Sequence, residues 1–214
     1  MTPAHPAAVV LVLHGGRAQS QLPTTAADLA VVRMLPIARS IARAGRGRFA
    51  VVRLRYAVRG WNGVVTSPLG DGRQALDAMA ERYPDVPIAL VGHSMGGRVA
   101  LRLGEEERVT HVVALAPWTG RGEQLSPHAD MRLLVIHGAN DRVTSPQASR
   151  QLVERLQAQG QHAVIRRAPP REARDAPPVA DLGPAHRRIL APRLLLRPRR
   201  DGGWCGGAAR RPSR

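Results

Sequence analysis

The sequence predicts an α/β fold in which an open, mostly parallel sheet carries helices on both faces. Short apolar runs alternate with helix-like segments from residue 8 to residue 167, which is the pattern of such a sheet. Most of the runs are continuously apolar rather than alternating, as expected of strands that are buried on both sides. A chain of 214 residues with 43% hydrophobic residues is large enough to form one domain with its own core.

The apolar runs are the predicted strands, and the first of them, Ala-Val-Val-Leu-Val-Leu, contains no polar residue. The longer segments between the runs are predicted as helices. In the last helix Pro146 lies near the first turn and Gly160 just past the end, where a helix tolerates each residue best. The predicted strands are 8–13, 48–55, 86–91, 109–115, 132–136 and 162–166, and the predicted helices are 28–44, 72–83, 96–103 and 146–159.

The basic residues of this chain are all arginine, 32 of them against 16 acidic residues, and the net charge is +16. A basic chain can bind nucleic acid or an anionic membrane. No aromatic residues are interspersed among the arginines, and no zinc-finger spacing is present. We therefore interpret the arginines as solvated surface residues whose number reflects a GC-rich coding sequence. Nucleic acid is therefore not an expected partner.

Several other protein classes are excluded by the sequence. No apolar run approaches the roughly 20 residues of a membrane-spanning helix. The single cysteine, Cys205, excludes an intramolecular disulfide and a cysteine-based zinc site. Residues 1–6 lack the basic start of a signal peptide and lead directly into the first strand. We therefore expect a cytoplasmic protein.

The composition changes after about residue 167. Residues 166–214 contain 13 arginines, eight prolines, eight alanines and five glycines, and only four acidic residues. Pro-Pro and Gly-Gly pairs in this segment break regular structure and add no packing surface. The sequence predicts a domain over 1–167 and a disordered tail over 168–214, with one short apolar contact near 189–196.

The strongest chemical signal is Gly92-His93-Ser94-Met95-Gly96, which joins a predicted strand to a predicted helix. It matches the G-x-S-x-G nucleophile elbow, in which the serine sits at the tip of a tight, strained turn. Glycines flank Ser94 because Cβ atoms there would collide with the neighbouring strand and helix. The helix points its N-terminus at the site, so the backbone N–H of Met95 is a candidate oxyanion donor. The alternative is a glycine-rich turn without a catalytic role.

A second signal, His14-Gly15-Gly16, follows the first predicted strand. A second oxyanion donor has to come from the loop after a neighbouring strand, and small residues let that backbone approach the substrate. The Gly16 N–H is the candidate. His14 is predicted to support the loop by hydrogen bonding rather than to act as a base.

A third signal is the turn His137-Gly138-Ala139-Asn140-Asp141 at the end of the fifth predicted strand. A carboxylate at this place would lie beside the elbow across the sheet. It could orient an imidazole and stabilise its protonated form, so Asp141 is the candidate acid. The alternative role for Asp141 is that of a turn residue or helix cap.

These three segments, in this order, resemble the α/β-hydrolase superfamily over residues 8–167. The resemblance implies a serine hydrolase that acts on a small ester, thioester or related acyl bond and needs neither a metal nor an organic cofactor. Only residues 118–129 stand where lidded relatives insert a cap domain, so we expect no cap domain and an open site. The identity of the substrate and the oligomeric state stay open.

The family's third catalytic residue is a histidine just after the last strand, followed by an amphipathic helix. No histidine stands there in this chain. His162 begins the last predicted strand, at the wrong end of the sheet, and His186 in the tail is the remaining candidate for the base. The resemblance therefore leaves a second interpretation open, a catalytically inactive binding module or degenerate gene product with this fold. A third makes the arginine-rich tail a tether to nucleic acid or acidic membrane, with binding that falls steeply as salt is added.

A shifted reading frame would explain both the missing histidine and the change of composition. Read from the second base of the codon for Glu172, the degenerate code permits a histidine followed by an amphipathic helix. This hypothesis predicts that the GC-rich third codon position changes phase near residues 166–172.

Overall fold

The structure is a computed structural model that describes residues 3–63, 68–120 and 122–168. These residues form one six-stranded sheet in which every neighbouring pair is parallel, in the order β2-β1-β3-β4-β5-β6. The predicted open parallel sheet is therefore confirmed. The strands are β1 (Ala8–Leu13), β2 (Phe49–Leu54), β3 (Ile88–His93), β4 (Val109–Leu115), β5 (Arg132–Gly138) and β6 (His162–Ala168). The helices are α1 (Leu29–Val32), α2 (Met34–Gly45), α3 (Pro68–Arg82), α4 (Met95–Leu103) and α5 (Pro146–Ala158).

The central strands of the sheet are buried on both faces, which explains why they are continuously apolar. Along β1, Val9 and Leu11 belong to the apolar cluster that contains residues of α3, α4 and α5. Val10 and Val12 belong to the opposite cluster, which contains residues of α2. Successive side chains of a strand point to opposite faces, so a strand between two helical layers needs an apolar residue at every position.

The predicted helix 28–44 is in fact two helices. α1 ends at Val32, and α2 begins at Met34, so the break falls at Arg33. Pro36 accounts for the break because a proline inside a helix clashes with the carbonyl four residues earlier, here that of Val32. In the first turn of α2 the same proline is tolerated, because an amide there has no partner within the helix.

Prolines also move two other predicted boundaries. β3 begins at Ile88 rather than Val86, directly after Pro87, whose nitrogen cannot donate to a neighbouring strand. α3 begins at Pro68, four residues before the predicted start. The glycines of its first turns made that segment resemble a loop. Gly72 has a packing role there, since a Cβ at this position would lie 2.7 Å from Cδ1 of Leu103 in α4.

The strand order places the carboxyl ends of β1 and β3 at the point where the chain changes direction across the sheet. From β1 the chain moves to β2 on one side, and after β2 every further strand is added on the other side. Ligands of open parallel sheets bind outside the carboxyl ends of the strands at such a switch point. The segments that follow β1 and β3 therefore frame the expected site.

Two further expectations concern the rest of the chain. None of the helices within the described ranges combines the length and apolar character needed to cross a membrane. The described part of the segment between β4 and β5 contains no helix, as expected in the absence of a cap domain. The predicted tail lies outside the described residues from 169 onward, and with it His186, Cys205 and the apolar contact near 189–196.

Candidate active site

Ser94 occupies the turn between β3 and α4 with the backbone angles φ 55° and ψ −116°. A non-glycine residue rarely adopts such angles, and they are retained only where the surroundings enforce them. The Ser94 N–H donates to the carbonyl of Leu115 at 3.0 Å. The Ser94 carbonyl accepts from the N–H groups of Trp118 at 3.0 Å and Arg98 at 3.1 Å. The strained turn is thus held from β4, from α4 and from the loop after β4, and the serine itself is half-buried.

The two glycines of the elbow are required by close contacts on either side of Ser94. A Cβ at Gly92 would overlap the Gly96 carbonyl, and one at Gly96 would lie 2.5 Å from the carbonyl oxygen of Leu13 and closer still to that of His14. These are backbone atoms of the following helix and of the neighbouring strand end, so no side-chain rotation could relieve the overlap. The structure therefore confirms that a Cβ at either position would collide with neighbouring backbone.

Gly16, one of the two candidate oxyanion donors, packs against the side chain of Met95, the other. A Cβ at Gly16 would overlap Cε of Met95 and would lie 2.6 Å from its Sδ. A Cβ at Gly15 would lie 3.4 Å from Cβ of Ser94. The loop after β1 therefore approaches the elbow closely. Met95 is the first residue of α4, and the first amides of a helix have no acceptor within it.

His14 supports this loop, as expected from the sequence. It is 2% exposed, its Nδ1–H donates to the Gly15 carbonyl at 2.6 Å, and its Nε2 accepts from the N–H of Tyr56 at 3.2 Å. Burial lowers the pKa of His14, although the hydrogen bond to Gly15 and the charges of Asp28 and Asp71 act in the opposite direction. With both nitrogens occupied, the neutral ring has no lone pair left for Ser94.

Asp141 lies in the turn after β5, at the same edge of the sheet as Ser94. Its Oδ1 accepts from the N–H groups of Val143 at 2.8 Å and Thr144 at 3.1 Å, and its Oδ2 accepts from the Thr144 hydroxyl at 2.7 Å. Burial alone would raise the pKa of Asp141, but these hydrogen bonds and the nearby His137 lower it below its usual value. Asp141 is thus a turn residue, while the cap of α5 is Ser145. Oδ2 also lies 3.5 Å from Nε2 of His137.

Residues 4–131 match the family described as "Serine aminopeptidase, S33". The chain belongs to this family of α/β-hydrolases. A search of curated protein sequences finds no significant match.

Solved structures share the fold of this α/β-hydrolase at low sequence identity. One is MGS-M1, an α/β-hydrolase enzyme from a deep-sea metagenome library, with 23% identity, 76% of this chain and 67% of that chain covered, and a TM-score of 0.55. Another is XC6422 from Xanthomonas campestris, described as a serine hydrolase without lid, with 24% identity, 77% and 72% covered, and a TM-score of 0.53. The esterase Pf2001 from Pyrococcus furiosus has 16% identity, 89% and 81% covered, and a TM-score of 0.58.

His137 of this α/β-hydrolase is buried beneath the Asp141 turn, a role that the sequence did not predict. Its Nε2–H donates to the Thr144 hydroxyl at 3.0 Å, and that hydroxyl in turn donates to Asp141. Its Nδ1 accepts from the hydroxyl of Ser149 in α5 at 2.8 Å. Burial lowers the pKa of His137, partly offset by the charge of Asp141. The ring therefore holds the acidic turn to α5 and has no nitrogen free for Ser94.

His93 is the remaining described histidine at this edge, and the sequence analysis did not single it out. Its Nδ1 lies 3.4 Å from the point where a Cβ at Gly15 would stand, and Cβ of Ser94 lies 3.4 Å from the same point. Its ring has no hydrogen bond to any described residue. Burial and the charge of Arg33 lower the pKa of His93, against the opposing charge of Asp141. The other described histidines do not reach this edge; His162, for example, is the first residue of β6, at the opposite end of its strand.

The described ranges contain no candidate metal centre. No group of three or more histidine, cysteine, aspartate or glutamate side chains there could hold a metal ion. The residues found near the elbow are Ser94, with Gly16 packed against the Met95 side chain, and Asp141 lies at the same edge of the sheet.

Proposed function

We propose that this α/β-hydrolase is a serine hydrolase that cleaves a small ester, thioester or related acyl bond. The observation that carries the proposal is the backbone of Ser94, whose φ of 55° at a strand-to-helix turn places a strained, half-buried serine beside the Gly15-Gly16 loop. A turn that only connects β3 to α4 has no need for a strained non-glycine residue. Strain of this kind is concentrated at active sites.

In the proposed reaction the Ser94 hydroxyl attacks the carbonyl carbon of the substrate. The new Oγ–C bond forms as the Oγ proton moves to an imidazole and the carbonyl electron pair moves onto oxygen. The N–H groups of Gly16 and Met95 would donate to that oxyanion, and Asp141 would orient the imidazole and stabilise its charge. The oxyanion electron pair then re-forms the carbonyl as the bond to the leaving group breaks, and the leaving group takes the proton from the imidazole. A water molecule next attacks the acyl carbon and gives a proton to the imidazole; the Oγ–C bond breaks, Ser94 regains that proton, and the acid is released.

Two histidines are candidates for the imidazole. His186 is the one expected from the sequence, and it lies outside the described residues. His93 adjoins Ser94, and burial keeps its ring neutral at neutral pH, as a proton acceptor must be. Its ring has no hydrogen bond to a described residue that a proton transfer would have to break.

Turnover of a short-chain activated ester by the 214-residue chain, compared with Ser94→Ala, tests the function. We expect turnover above that of the variant, and labelling of the wild-type chain by a fluorophosphonate that Ser94→Ala abolishes. Without an effective triad base, a serine hydrolase still retains roughly 10³–10⁴-fold over water from its oxyanion hole and binding. Equal rates and no labelling would overturn the proposal and favour an inactive binding module.

The variants His186→Gln and His93→Gln identify the base if turnover is found. The variant that removes the base should lower kcat by a factor of about 10² or more and leave KM nearly unchanged. His162→Gln is a suitable control, because His162 begins β6 at the far end of the sheet. An unchanged kcat in both single variants would exclude both candidates.

A further inference from the structure

A stacked cluster of Arg98, Trp61 and Trp118 lies beside the elbow and has no part in the proposed chemistry. Arg98 is in α4, one turn after Ser94. Its guanidinium carbon lies 4.4 Å from the ring centroid of Trp61 and 5.2 Å from that of Trp118. The two indoles meet edge to face, with centroids 6.2 Å apart and planes at 90°. A guanidinium at these distances is attracted to the faces of both rings.

Glu123 fixes the guanidinium of Arg98 in this position. Nε of Arg98 lies 2.9 Å and 3.0 Å from the two carboxylate oxygens of Glu123, whose side chain is 2% exposed. The same carboxylate accepts from Nε of Arg102 at 2.9 Å and from the Gly120 N–H at 3.1 Å. The buried carboxylate of Glu123 is thus paired with two guanidinium groups and accepts a hydrogen bond from an amide. Glu123 and the two indoles together hold the guanidinium of Arg98 in this orientation.

Each indole belongs to a segment that carries one half of the proposed oxyanion hole. The backbone N–H of Trp61 donates to the carbonyl of Arg17 at 2.9 Å, and Arg17 directly follows Gly16. The Arg17 N–H donates to the Arg59 carbonyl at 2.8 Å, which completes the attachment of the Gly16 loop to the Trp61 segment. On the other side, the backbone N–H of Trp118 donates to the carbonyl of Ser94, the residue before Met95. Arg98 therefore touches both segments at once.

We propose that Arg98 is a positioning residue that fixes the spacing between the Gly16 and Met95 amides by stacking on Trp61 and Trp118 together. The inference rests on the proposed function. Oxyanion donors act mainly in the transition state, so a change in their spacing lowers kcat more than it raises KM. A misplacement of about 1 Å in such a site can cost on the order of 100-fold in rate.

The matched variants Arg98→Gln and Arg102→Gln test this role. Both remove one guanidinium from Glu123 and both lie in α4, but the structure records stacking on an indole only for Arg98. We expect Arg98→Gln to lower kcat by about 10-fold to 100-fold with KM nearly unchanged, and Arg102→Gln to leave kcat close to that of the wild type. Arg98→Lys keeps the charge beside Glu123 without the planar group, so a loss of kcat in this variant as well reports the lost stacking.

A second readout does not depend on turnover. The N–H groups of Arg17, Trp61 and Trp118 are hydrogen-bonded at the two segments that Arg98 joins. Their hydrogen exchange should be faster in Arg98→Gln than in Arg102→Gln at equal distance below each melting temperature. Equal exchange in the two variants, equal losses of kcat, or a rise in KM alone for Arg98→Gln would each overturn the inference. If the wild type shows no turnover that depends on Ser94, the proposed function fails, and the exchange rates still decide whether Arg98 joins the segments.

Discussion

Gly16→Ala is the substitution that most directly probes the contact between the loop after β1 and the elbow. The added methyl would lie 2.5 Å from the Arg59 carbonyl oxygen and 2.6 Å from Sδ of Met95. The Met95 side chain can rotate away, but the Arg59 carbonyl is backbone that binds the Arg17 N–H at 2.8 Å. Ordinary contacts of a Cβ begin near 3.4 Å. The loop must therefore retreat by about 1 Å, a displacement that can cost on the order of 100-fold in rate.

The stability of the Gly16→Ala variant should fall as well. Adding a methyl group to a packed position costs about 1–3 kcal/mol, which for a domain of this size lowers the melting temperature by roughly 2–12 °C. Gly15→Ala is the matched control because its methyl would meet Ser94 Cβ and His93 Nδ1 at 3.4 Å, an ordinary contact distance. The assay compares kcat for an activated ester with a thermal melt of each variant. If Gly16→Ala keeps both the kcat and the melting temperature of the wild type, the close approach of Gly16 to the elbow and its role as an oxyanion donor are refuted.

The remaining predictions concern the acid, the buried histidines and the gene. Asp141→Asn should lower kcat by about 10²-fold or more, since an amide does not stabilise an imidazolium. A lower melting temperature with unchanged kcat would instead show that Asp141 only stabilises its turn. Burial lowers the pKa of His14 and His137 below 6.5, so the unfolded chain binds more protons below that pH. Stability is then fully present above pH 6.5 and should decrease as the pH falls below it, by up to about 1.4 kcal/mol per pH unit for each histidine, and melts that do not vary between about pH 7 and pH 5 would contradict this. In the coding DNA, the GC-rich third position should change phase near residues 166–172, and a constant phase to the end would exclude the shifted frame.

The parts of the fold and site that could be predicted from the sequence are those set by neighbouring residues. The elbow is an example, because Gly92, Ser94 and Gly96 are close in the chain and the collisions that exclude other residues arise within one strand, one helix and one adjoining strand end. The central strands could be predicted for a similar reason, since a strand buried on both faces needs an apolar residue at every position. The break at Arg33 could also have been predicted from Pro36, had its clash with the carbonyl four residues earlier been considered.

The parts that could not be predicted depend on contacts between distant segments. Arg98 and Glu123 are 25 residues apart, and Trp61 comes from a third segment, so no spacing in the sequence links them. The sequence also does not distinguish a buried glutamate from a solvated one. His137 and Ser149 are separated by a turn and the start of α5, and their hydrogen bond depends on how that helix packs against β5. Such pairings are properties of the tertiary structure rather than of any local pattern.

The backbone conformation of Ser94 lowers the stability of the fold at the residue on which the proposed activity depends. A serine held at φ 55° and ψ −116° costs on the order of 1–3 kcal/mol, a considerable part of the roughly 5–15 kcal/mol that stabilises a typical domain. Glycine at this position would adopt the same angles without strain and would remove the hydroxyl at the same time. A screen of this chain for heat resistance alone would therefore tend to select against the proposed nucleophile. Any effort to stabilise the protein has to keep position 94 fixed and seek its gains elsewhere.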